Sequence, residues 1–518
     1  MPARRTAAAT ATLVAAALVS PLLVAGSATA GIATGSGPHR GDALARKLVK
    51  ESTAKDAYRH LQVLQKIADH SDGNRVAGSQ GHEWSAQYVE ALMKRAGFQV
   101  SRHEFDFVYT ETIKESLKVV SPTPRDVPIE LMTYTANSPA GGVTAPLAVA
   151  PVDADGTNGC EPGDFASGTF TGKIALIKRG GCTFAIKQAN AAGAGAVGAI
   201  IYNNTAGALN GTISDPTLGK VPTGGVTQAD GEALAAEAAK GPVEVTLDIR
   251  EMRENRTTYN VVAETRGGDV DNTVFLGAHL DSVAAGPGIN DNGSGSAGIL
   301  QVALELAKTH TKPKNKVKFA WWSAEEFSLL GSKAYVASLT EEQKKQIKLY
   351  LNFDMIASPN AGYFVYDGDD SDRVGAGPGP EGSAQIEKGI NDFLDARQIP
   401  HEGTDFTGRS DYGPFIEAGI PSGGTFTGAE GIKTAAQAGK FGGTAGIAYD
   451  PNYHAAGDTI ENIDMPAFDI NIDIIADAVG HYAHDLGPLS VPVESVPTDG
   501  DAGSGGGLHD GHGHEVTE

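Results

Sequence analysis

The chain has 518 residues, a formal net charge of -22 at pH 7 and an apolar fraction of 41%. This length suffices for more than one domain, and the composition argues against a wholly disordered chain. The negative charge argues against nucleic acid as a partner, because the phosphates would be repelled.

The N-terminus has the parts of a secretory signal peptide. Arg4 and Arg5 precede an alanine-rich apolar run, and Ala28-Thr29-Ala30 has the A-x-A form of a cleavage site. The run is short for an uncleaved membrane anchor, which is the alternative interpretation. We therefore expect residues 1–30 to be a signal peptide, the protein to be secreted and extracellular, and no segment to span a membrane.

Residues 31–48 form a polar lead-in that we interpret as a linker or a pro-segment. A helix is predicted from about Ala54 to the HSDGNRVAGSQG segment, and a second helix ends at Ala96-Gly97. A strand-like region follows from Phe98 to Val108.

The composition changes between residues 121 and 250, where Gly, Ala, Val and Thr are enriched. KIALIKRG and AIIYNN are predicted strands, and CTFAIKQANAAGAGA a predicted helix. Cys160 and Cys182 lie here, and in an exported protein they are most simply one disulfide; two unpaired thiols are the alternative. We interpret residues 121–250 as a domain inserted between residues 49–120 and 251–488.

From Asn272 onward, apolar strands alternate with amphipathic helices. TVFLGA, VKFAWW and IKLYLNF are predicted strands, and GSAGILQVALELAKTH and EEFSLLGSKAYVASL predicted helices. This alternation indicates an α/β fold with a parallel sheet that helices cover on both faces. Residues 489–518 are low-complexity and are predicted to be disordered.

Each of these three strands is followed by histidine or carboxylate side chains: His279 and Asp281, Glu325 and Glu326, and Asp354. Any one alone would be a surface group at a strand end, but the carboxyl ends of parallel strands share one edge, where ligands bind. Carboxylates gathered there repel one another unless a cation is shared. Imidazole and carboxylate without thiolate suit Zn²⁺, with Mn²⁺ or Co²⁺ as lesser candidates.

Asp281 lies two residues after His279, so in a strand both side chains point to the same side. There Asp281 would accept the second imidazole N–H and fix its tautomer. A loop-capping aspartate is the alternative interpretation.

The motifs GAHLDS, GINDNGSG, WWSAEE, YLNFDM and DPNYHAAGDT resemble, in order and spacing, those of secreted bacterial di-zinc aminopeptidases of the leucine type. The resemblance covers roughly residues 54–108 and 272–484, and the inserted region separately resembles a protease-associated (PA) domain. It implies the zinc exopeptidase fold, in which the central sheet is mixed and mainly parallel, with a β-rich inserted domain.

The resemblance also implies two zinc ions per chain and a role for each matching residue. Asp291 would bridge the ions, with His279 and Asp354 completing one ligand set and Glu326 and His454 the other. Glu325 would be the general base for the attacking water, and Tyr453 would donate a hydrogen bond to the developing oxyanion.

The same resemblance points to the substrate and to a further metal. The free amino group would lie near Glu325, Asp354 and the backbone carbonyl of Arg409 in the motif GRSDYGPF, and Phe426 would line an apolar pocket that favours Leu-like residues. Asp469 and Asp473 match acidic positions that bind calcium in some relatives; two solvent-facing aspartates are the alternative.

Two departures from the family pattern stand out. Asn452 and Gly457 replace a cysteine pair that often flanks the last histidine ligand, so packing and hydrogen bonds must hold that loop. Tyr412 stands where some relatives have histidine, which leaves its role open.

We therefore predict a monomeric metallo-aminopeptidase whose partners are peptides or proteins with a free N-terminus. A zinc exopeptidase of other end specificity, such as a carboxypeptidase or dipeptidase, is the first alternative. The second is a receptor-like homologue without catalysis, which would lack ligands that this chain keeps.

Overall fold

The computed structural model describes residues 40–154, 156–166, 168–205, 207–373, 375 and 377–493. The expected signal peptide, residues 1–30, and most of the expected disordered tail lie outside this range. Residues 40–48, within the expected linker or pro-segment, belong to the first helix.

The α-helices are α1 (Arg40–Glu51), α2 (Ala54–Asp69), α3 (Gln80–Ala96), α4 (Phe184–Gly193), α5 (Gln228–Ala238), α6 (Gly295–Lys308), α7 (Leu330–Ser338), α8 (Glu341–Gln346), α9 (Ser383–Asp395), α10 (Gly413–Glu417), α11 (Ala435–Phe441) and α12 (Met465–Tyr482). The strands are β1 (Gln99–Ser121), β2 (Arg125–Val127), β3 (Glu130–Thr133), β4 (Val143–Val149), β5 (Ile174–Lys178), β6 (Gly198–Tyr202), β7 (Gly211–Thr212), β8 (Thr223–Val226), β9 (Glu244–Glu264), β10 (Asp269–His279), β11 (Asn315–Trp322), β12 (Ile347–Phe353), β13 (Phe364–Tyr366), β14 (Glu402–Thr404) and β15 (Ser422–Phe426).

The strands form one continuous hydrogen-bonded arrangement that passes from the larger part of the chain into the inserted region. Its first half has the order β14-β13-β15-β12-β10-β11-β9, and its second half continues β4-β5-β6-β8-β3-β7. Strands β11, β10, β12 and β15 run parallel, whereas β9 and β13 join them antiparallel. The prediction of a mixed, mainly parallel sheet in an α/β fold is confirmed.

Alternate residues of the central strands enter the two layers that cover the sheet. Leu276 and Leu351 pack in the core cluster that contains residues of α1, α2, α3, α6 and α12. Their neighbours Phe275 and Tyr350 point to the opposite face, where they pack with Tyr335 of α7. Because both faces are buried, the strands read as continuous apolar runs.

The helix predicted from Glu325 begins only at Leu330, so that prediction is wrong at its start. Ala324, Ser328 and Leu329 have φ values of 57°, 76° and 60°. This left-handed backbone turns the chain sharply and prevents a regular first helical turn. Glu325 and its neighbour Glu326 therefore lie in a turn, from which the first carboxylate approaches His279 and the second approaches His454.

The inserted region is joined to the rest of the fold through a two-stranded ribbon. β1 and β9 pair antiparallel from Gln99↔Glu264 to Ser121↔Glu244. One end of β9 also pairs with β11 of the central sheet, and the other end pairs with β4 of the inserted region.

Two further expectations concern the disulfide and the membrane. Cys160 and Cys182 form a disulfide with a Cα–Cα distance of 5.8 Å, which confirms the predicted pair. Within the described residues, no helix combines the length and apolarity needed to cross a membrane.

Candidate metal centre

The five predicted ligands lie together at the carboxyl edge of the central sheet, in two groups that share Asp291. His279 ends β10, and Asp354 directly follows the neighbouring parallel strand β12. Asp291 lies in the loop that leads into α6, where Gly295 passes so close to the end of β12 that a Cβ atom would lie 2.0 Å from the carbonyl oxygen of Phe353. This close approach, possible only for glycine, brings Asp291 next to Asp354.

Asp291 offers one carboxylate oxygen to each histidine. Its Oδ1 lies 3.2 Å from Nε2 of His279, and its Oδ2 lies 3.2 Å from Nε2 of His454. In the first group, Asp354 Oδ1 is 3.4 Å from His279 Nε2. In the second, Glu326 Oε2 is 2.9 Å from His454 Nε2.

Several of these atoms are buried without a hydrogen-bond partner. Among the described residues, His279 Nε2, Asp354 Oδ1 and Glu326 Oε1 make no hydrogen bond. Bonds of about 2.0 Å to a tetrahedral zinc ion place neighbouring ligand atoms roughly 3.3 Å apart, close to the spacings seen here. The donor set and its spacing therefore fit a zinc ion in each group.

The buried carboxylates and histidines of the centre shift one another's pKa values. Burial opposes the ionised form of Asp291, but the close approach of His279 and His454 holds the pKa of this carboxyl well below its usual range. Burial also lowers the pKa of His454, yet Glu326 and Asp291 outweigh it and raise that pKa to about 10. The ligand atoms thus present concentrated negative charge that favours a bound cation.

Glu325, the predicted general base, lies beside the first group. Its Oε2 is 3.8 Å from His279 Nε2, and its backbone N–H donates to Asp281 Oδ1 at 3.3 Å. Burial raises the pKa of Glu325 well above the usual range; His279 opposes the rise, and Asp354 adds to it. The side chain therefore lies near the predicted ligands, in surroundings that favour its protonated form.

Asp281 is buried next to His279, but its contact differs in detail from the predicted one. His279 Nδ1 lies 3.2 Å from the backbone carbonyl oxygen of Asp281 and 3.6 Å from its Oδ1. The closer partner of the imidazole is therefore the carbonyl, while the Asp281 carboxylate accepts the N–H of Glu325. Asp281 therefore contacts both His279 and Glu325.

Tyr453 and Arg409 adjoin the second group. The ring of Tyr453 stacks on that of His454, with centroids 3.9 Å apart. Arg409 forms an ion pair with Glu430 at 3.0 Å and also interacts with Tyr453. Burial raises the pKa of Tyr453, and Arg409 opposes the rise.

Phe426 ends β15 and is half-buried against Phe364, with ring centroids 6.3 Å apart. Tyr412, whose role was open, is a core residue: its hydroxyl accepts the N–H of Gly408 at 3.1 Å, and its ring packs edge-on against Tyr366. It lies in the aromatic cluster behind the sheet edge.

The loop of Tyr453 and His454 is held by polar contacts where relatives often have cysteines. Asn452 donates through Nδ2 to Asn462 at 2.7 Å and through its backbone N–H to Asp450 at 2.9 Å. Gly457 packs so closely on Asn452 that a Cβ atom would lie 2.1 Å from its Oδ1.

The two aspartates expected to bind calcium lie one turn apart on α12. Asp469 accepts the backbone N–H of Ala54 at 3.1 Å, so it binds the first turn of α2. Burial and then Asp469 raise the pKa of Asp473 to about 6. Within the described residues, neither aspartate belongs to a group of three metal-ligating side chains.

Three buried residues at the centre were not predicted. Ser410 donates to Asp354 Oδ2 at 2.6 Å, and Asp458 accepts the backbone N–H of Asp291 at 2.9 Å. Arg75 donates to backbone carbonyls of the loop between His279 and Asp291. Ser410 and Asp458 lie inside motifs already singled out, GRSDYGPF and DPNYHAAGD, whereas Arg75 lies in a segment interpreted only as a helix break.

Comparison with known proteins agrees with this geometry. The model of peptidase family M28 matches residues 260–479, and that of the PA domain matches residues 143–234. The resemblance to aminopeptidases with an inserted PA domain is thereby confirmed.

Relatives cover most of the chain. It is 46% identical over 434 residues to leucine aminopeptidase 2 of Trichophyton tonsurans, covering 83% of this chain and 84% of that protein. It is 47% identical over 436 residues to an aminopeptidase of Pseudomonas aeruginosa, covering 82% and 80%. A solved zinc aminopeptidase from Bacillus subtilis superposes with a TM-score of 0.58 at 27% identity, covering 83% and 94%. This chain therefore belongs to peptidase family M28.

Proposed function

We propose that this metallo-aminopeptidase is secreted, uses two zinc ions and releases Leu-like residues from the N-termini of peptides and proteins. The observation that carries the proposal is the position of Asp291 between His279 and His454, at 3.2 Å from each. A carboxylate with one oxygen toward each of two His–carboxylate groups fits a bridging ligand.

The ligand sets follow from the two groups. His279 and Asp354 would complete one set, and Glu326 and His454 the other. When bound, two zinc ions supply Lewis-acid polarisation of the scissile carbonyl and lower the pKa of water. Proton transfer, stabilisation of the oxyanion and most of the substrate binding would be carried out by the side chains.

Glu325 would take the proton of the attacking water and pass it to the leaving amine. Its buried carboxyl lies beside the first ligand group, with Oε2 3.8 Å from His279 Nε2. Asp281 accepts the N–H of Glu325 and would hold the turn in place. Tyr453, stacked on His454, would donate its hydroxyl to the oxyanion.

The substrate amine would bind between Glu325, Asp354 and the carbonyl of Arg409. Two carboxylates at the end of the site attract an ammonium group, which an N-acylated peptide lacks. The first side chain would pack against Phe426, whose half-buried ring offers an apolar surface beside Phe364. These features favour aminopeptidase action on Leu-like residues over other end specificities.

The decisive experiment compares a leucyl peptide with its N-acetylated twin, using purified mature protein with zinc confirmed present. We expect leucine release from the free-amine peptide alone. Equal cleavage of both would remove the amine site, and cleavage of neither would favour the receptor-like or different-specificity alternative. A lysyl or glutamyl peptide cleaved faster than the leucyl one would overturn the pocket assignment.

Secretion rests on the N-terminal sequence and agrees with the disulfide. N-terminal sequencing of protein from the culture medium should begin at Gly31. Size-exclusion chromatography with light scattering should show a monomer.

Calcium at Asp469 and Asp473 is a separate proposal, supported by two carboxylates one helical turn apart. Adding Ca²⁺ to calcium-free protein should raise its melting temperature, and an unchanged value would remove this proposal.

A further inference from the structure

Arg75 is a fully buried cation beside the candidate metal centre. It lies in the loop between α2 and α3 and has an exposure of 0%. Its Nε donates to the carbonyl oxygen of Pro287 at 2.9 Å, and its two terminal nitrogens donate to those of Leu280 and Gly288. All three guanidinium nitrogens therefore bind the backbone of one loop.

That loop connects two of the predicted ligands. Leu280 directly follows His279, and Gly288 lies three residues before Asp291. The backbone of Arg75 adds two bonds to Ser282: its N–H donates to Ser282 Oγ at 2.9 Å, and its carbonyl accepts the Ser282 N–H at 3.3 Å. Arg75 therefore makes hydrogen bonds to this loop at Leu280, at Ser282, and at Pro287 and Gly288.

The charge of Arg75 also acts on the centre. Burial lowers the pKa of this guanidinium to about 10, with Asp281 and Asp458 the strongest opposing influences, so it stays protonated near neutral pH. Because its hydrogen bonds end on carbonyl oxygens, it offsets the negative charge of nearby carboxylates without occupying an oxygen that a metal ion would need.

We propose that Arg75 is a positioning residue of the metal centre, which holds His279 and Asp291 at the separation required for metal binding. Without it, the loop would have to be ordered by the metal itself, and that cost would appear as weaker affinity. The inference rests on the proposed zinc function, because it concerns the same ligands.

The test measures zinc affinity directly, with Zn²⁺ alone as the probe. Zinc-free wild type, Arg75→Lys and Arg75→Met are titrated with Zn²⁺ against a chromophoric chelator, and the melting of each zinc-free protein is followed by circular dichroism. We expect both variants to bind zinc about 10- to 100-fold more weakly, as for other residues that orient metal ligands. Lysine keeps the positive charge but has an ammonium in place of the planar guanidinium, so it cannot donate to all three carbonyls in the same geometry.

Lys187→Met is the matched control. Lys187 is a second fully buried cation, and its ammonium donates to the carbonyls of Asn158 and Gly180 in the inserted region. This variant should melt at a lower temperature but bind zinc as wild type does. An equal loss of zinc affinity in Lys187→Met would mean that general destabilisation explains the effect, and would overturn the proposal.

Unchanged zinc affinity in a folded Arg75→Lys protein would also overturn it. If both Arg75 variants fail to fold, zinc affinity is measured for Ser282→Ala instead. This variant keeps the guanidinium and removes the hydroxyl that accepts the Arg75 N–H and donates to Gly286 within the same loop. A smaller loss of affinity in the same direction supports the proposal, and no loss overturns it. Wild-type protein that binds no zinc would instead refute the proposed function, and this inference with it.

Discussion

The carboxylate of Asp458 accepts the backbone N–H of Asp291 at 2.9 Å, and its other oxygen accepts that of Asn290 at 2.8 Å. Asp291, whose carboxylate lies close to both His279 and His454, is therefore held in place by a hydrogen bond from its backbone N–H. An asparagine at position 458 has only one acceptor oxygen, so one of these two bonds must be lost.

We expect Asp458→Asn to lower zinc affinity and kcat/KM by about 10- to 100-fold. Chelator competition and steady-state kinetics provide the measurement. Asp248→Asn is the control, because this buried aspartate accepts hydrogen bonds from Ser138 and Arg250 in the inserted region and none from the metal centre. Full zinc affinity in Asp458→Asn would contradict the assigned role.

Glu325 and Glu326 are adjacent, but we expect their substitution to affect different properties, kcat in the first case and zinc binding in the second. Glu325→Gln should lower kcat by about 10²- to 10⁴-fold while retaining zinc, because it removes a base and no ligand. Glu326→Gln should lose zinc, since Glu326 Oε2 lies 2.9 Å from His454 Nε2 within the second group. Metal analysis after dialysis separates the two outcomes, and equal zinc loss in both variants would contradict the assignment.

Tyr412→Phe should leave kcat and KM unchanged despite its position in the GRSDYGPF motif. The hydroxyl accepts the N–H of Gly408 behind the sheet edge, so its removal should cost about 1 kcal/mol of unfolding free energy. Denaturant unfolding and kinetics check both parts. A large fall in kcat at unchanged stability would place Tyr412 in the catalytic machinery instead.

Replacing Cys160 and Cys182 together by serine should destabilise the inserted region. The disulfide closes a loop with a sequence separation of 22, and the chain-entropy model gives about 3 kcal/mol for a loop of this size. Thermal unfolding should show the loss, while zinc content stays at the wild-type level. Reductant that leaves the melting of wild-type protein unchanged would argue against this contribution.

Glu387 should make stability depend on pH. Burial, then the neighbouring carboxylates Asp367 and Asp369, raise its pKa to about 7 in the folded protein, whereas 4.5 is the usual value. The folded state therefore holds this proton more tightly, and stability falls as pH rises from 4.5 to about 7.

In Glu387→Gln this contribution should vanish, so the variant should gain stability relative to wild type as pH rises through that window. Denaturant unfolding at several pH values measures the difference. Glu417→Gln, at an exposed glutamate, is the control. A difference between wild type and Glu387→Gln that does not change with pH would contradict the prediction.

The strands and most helices were predictable because their apolar patterns reflect burial on two faces of one sheet. Phe275 and Leu276 are neighbours in β10 that enter opposite faces of the sheet, and both are buried. The grouping of His279, Glu326 and Asp354 was predictable because side chains at the ends of parallel strands meet at one edge. Asp291 and His454 were expected there from the family resemblance alone, and the role of all five as metal ligands remains a prediction. The roles of Glu325, Tyr453 and the substrate residues remain predictions.

What escaped prediction depends on contacts between distant segments. Arg75 binds carbonyls more than 200 residues away, and nothing in its local sequence indicates this. The helix expected from Glu325 fails because the left-handed backbone at Ala324, Ser328 and Leu329 overrides local helical preference. Asp458 was hidden for the same reason as Arg75, since its partner lies 167 residues earlier.

The inserted region is attached to the rest of the fold through the ribbon of β1 and β9. Phe107 and Tyr109 lie in the part of the ribbon that is nearer the central sheet. Their rings pack on Phe327, next to the Glu325–Glu326 turn. Beyond Tyr109, whose partner in the ribbon is Glu254, the one-to-one pairing continues to Thr112↔Glu251, and the register shifts before Lys114. A short hairpin turn placed between that pair and the register shift would therefore close the chain without the inserted region, and the contacts of Phe107 and Tyr109 with Phe327 would remain.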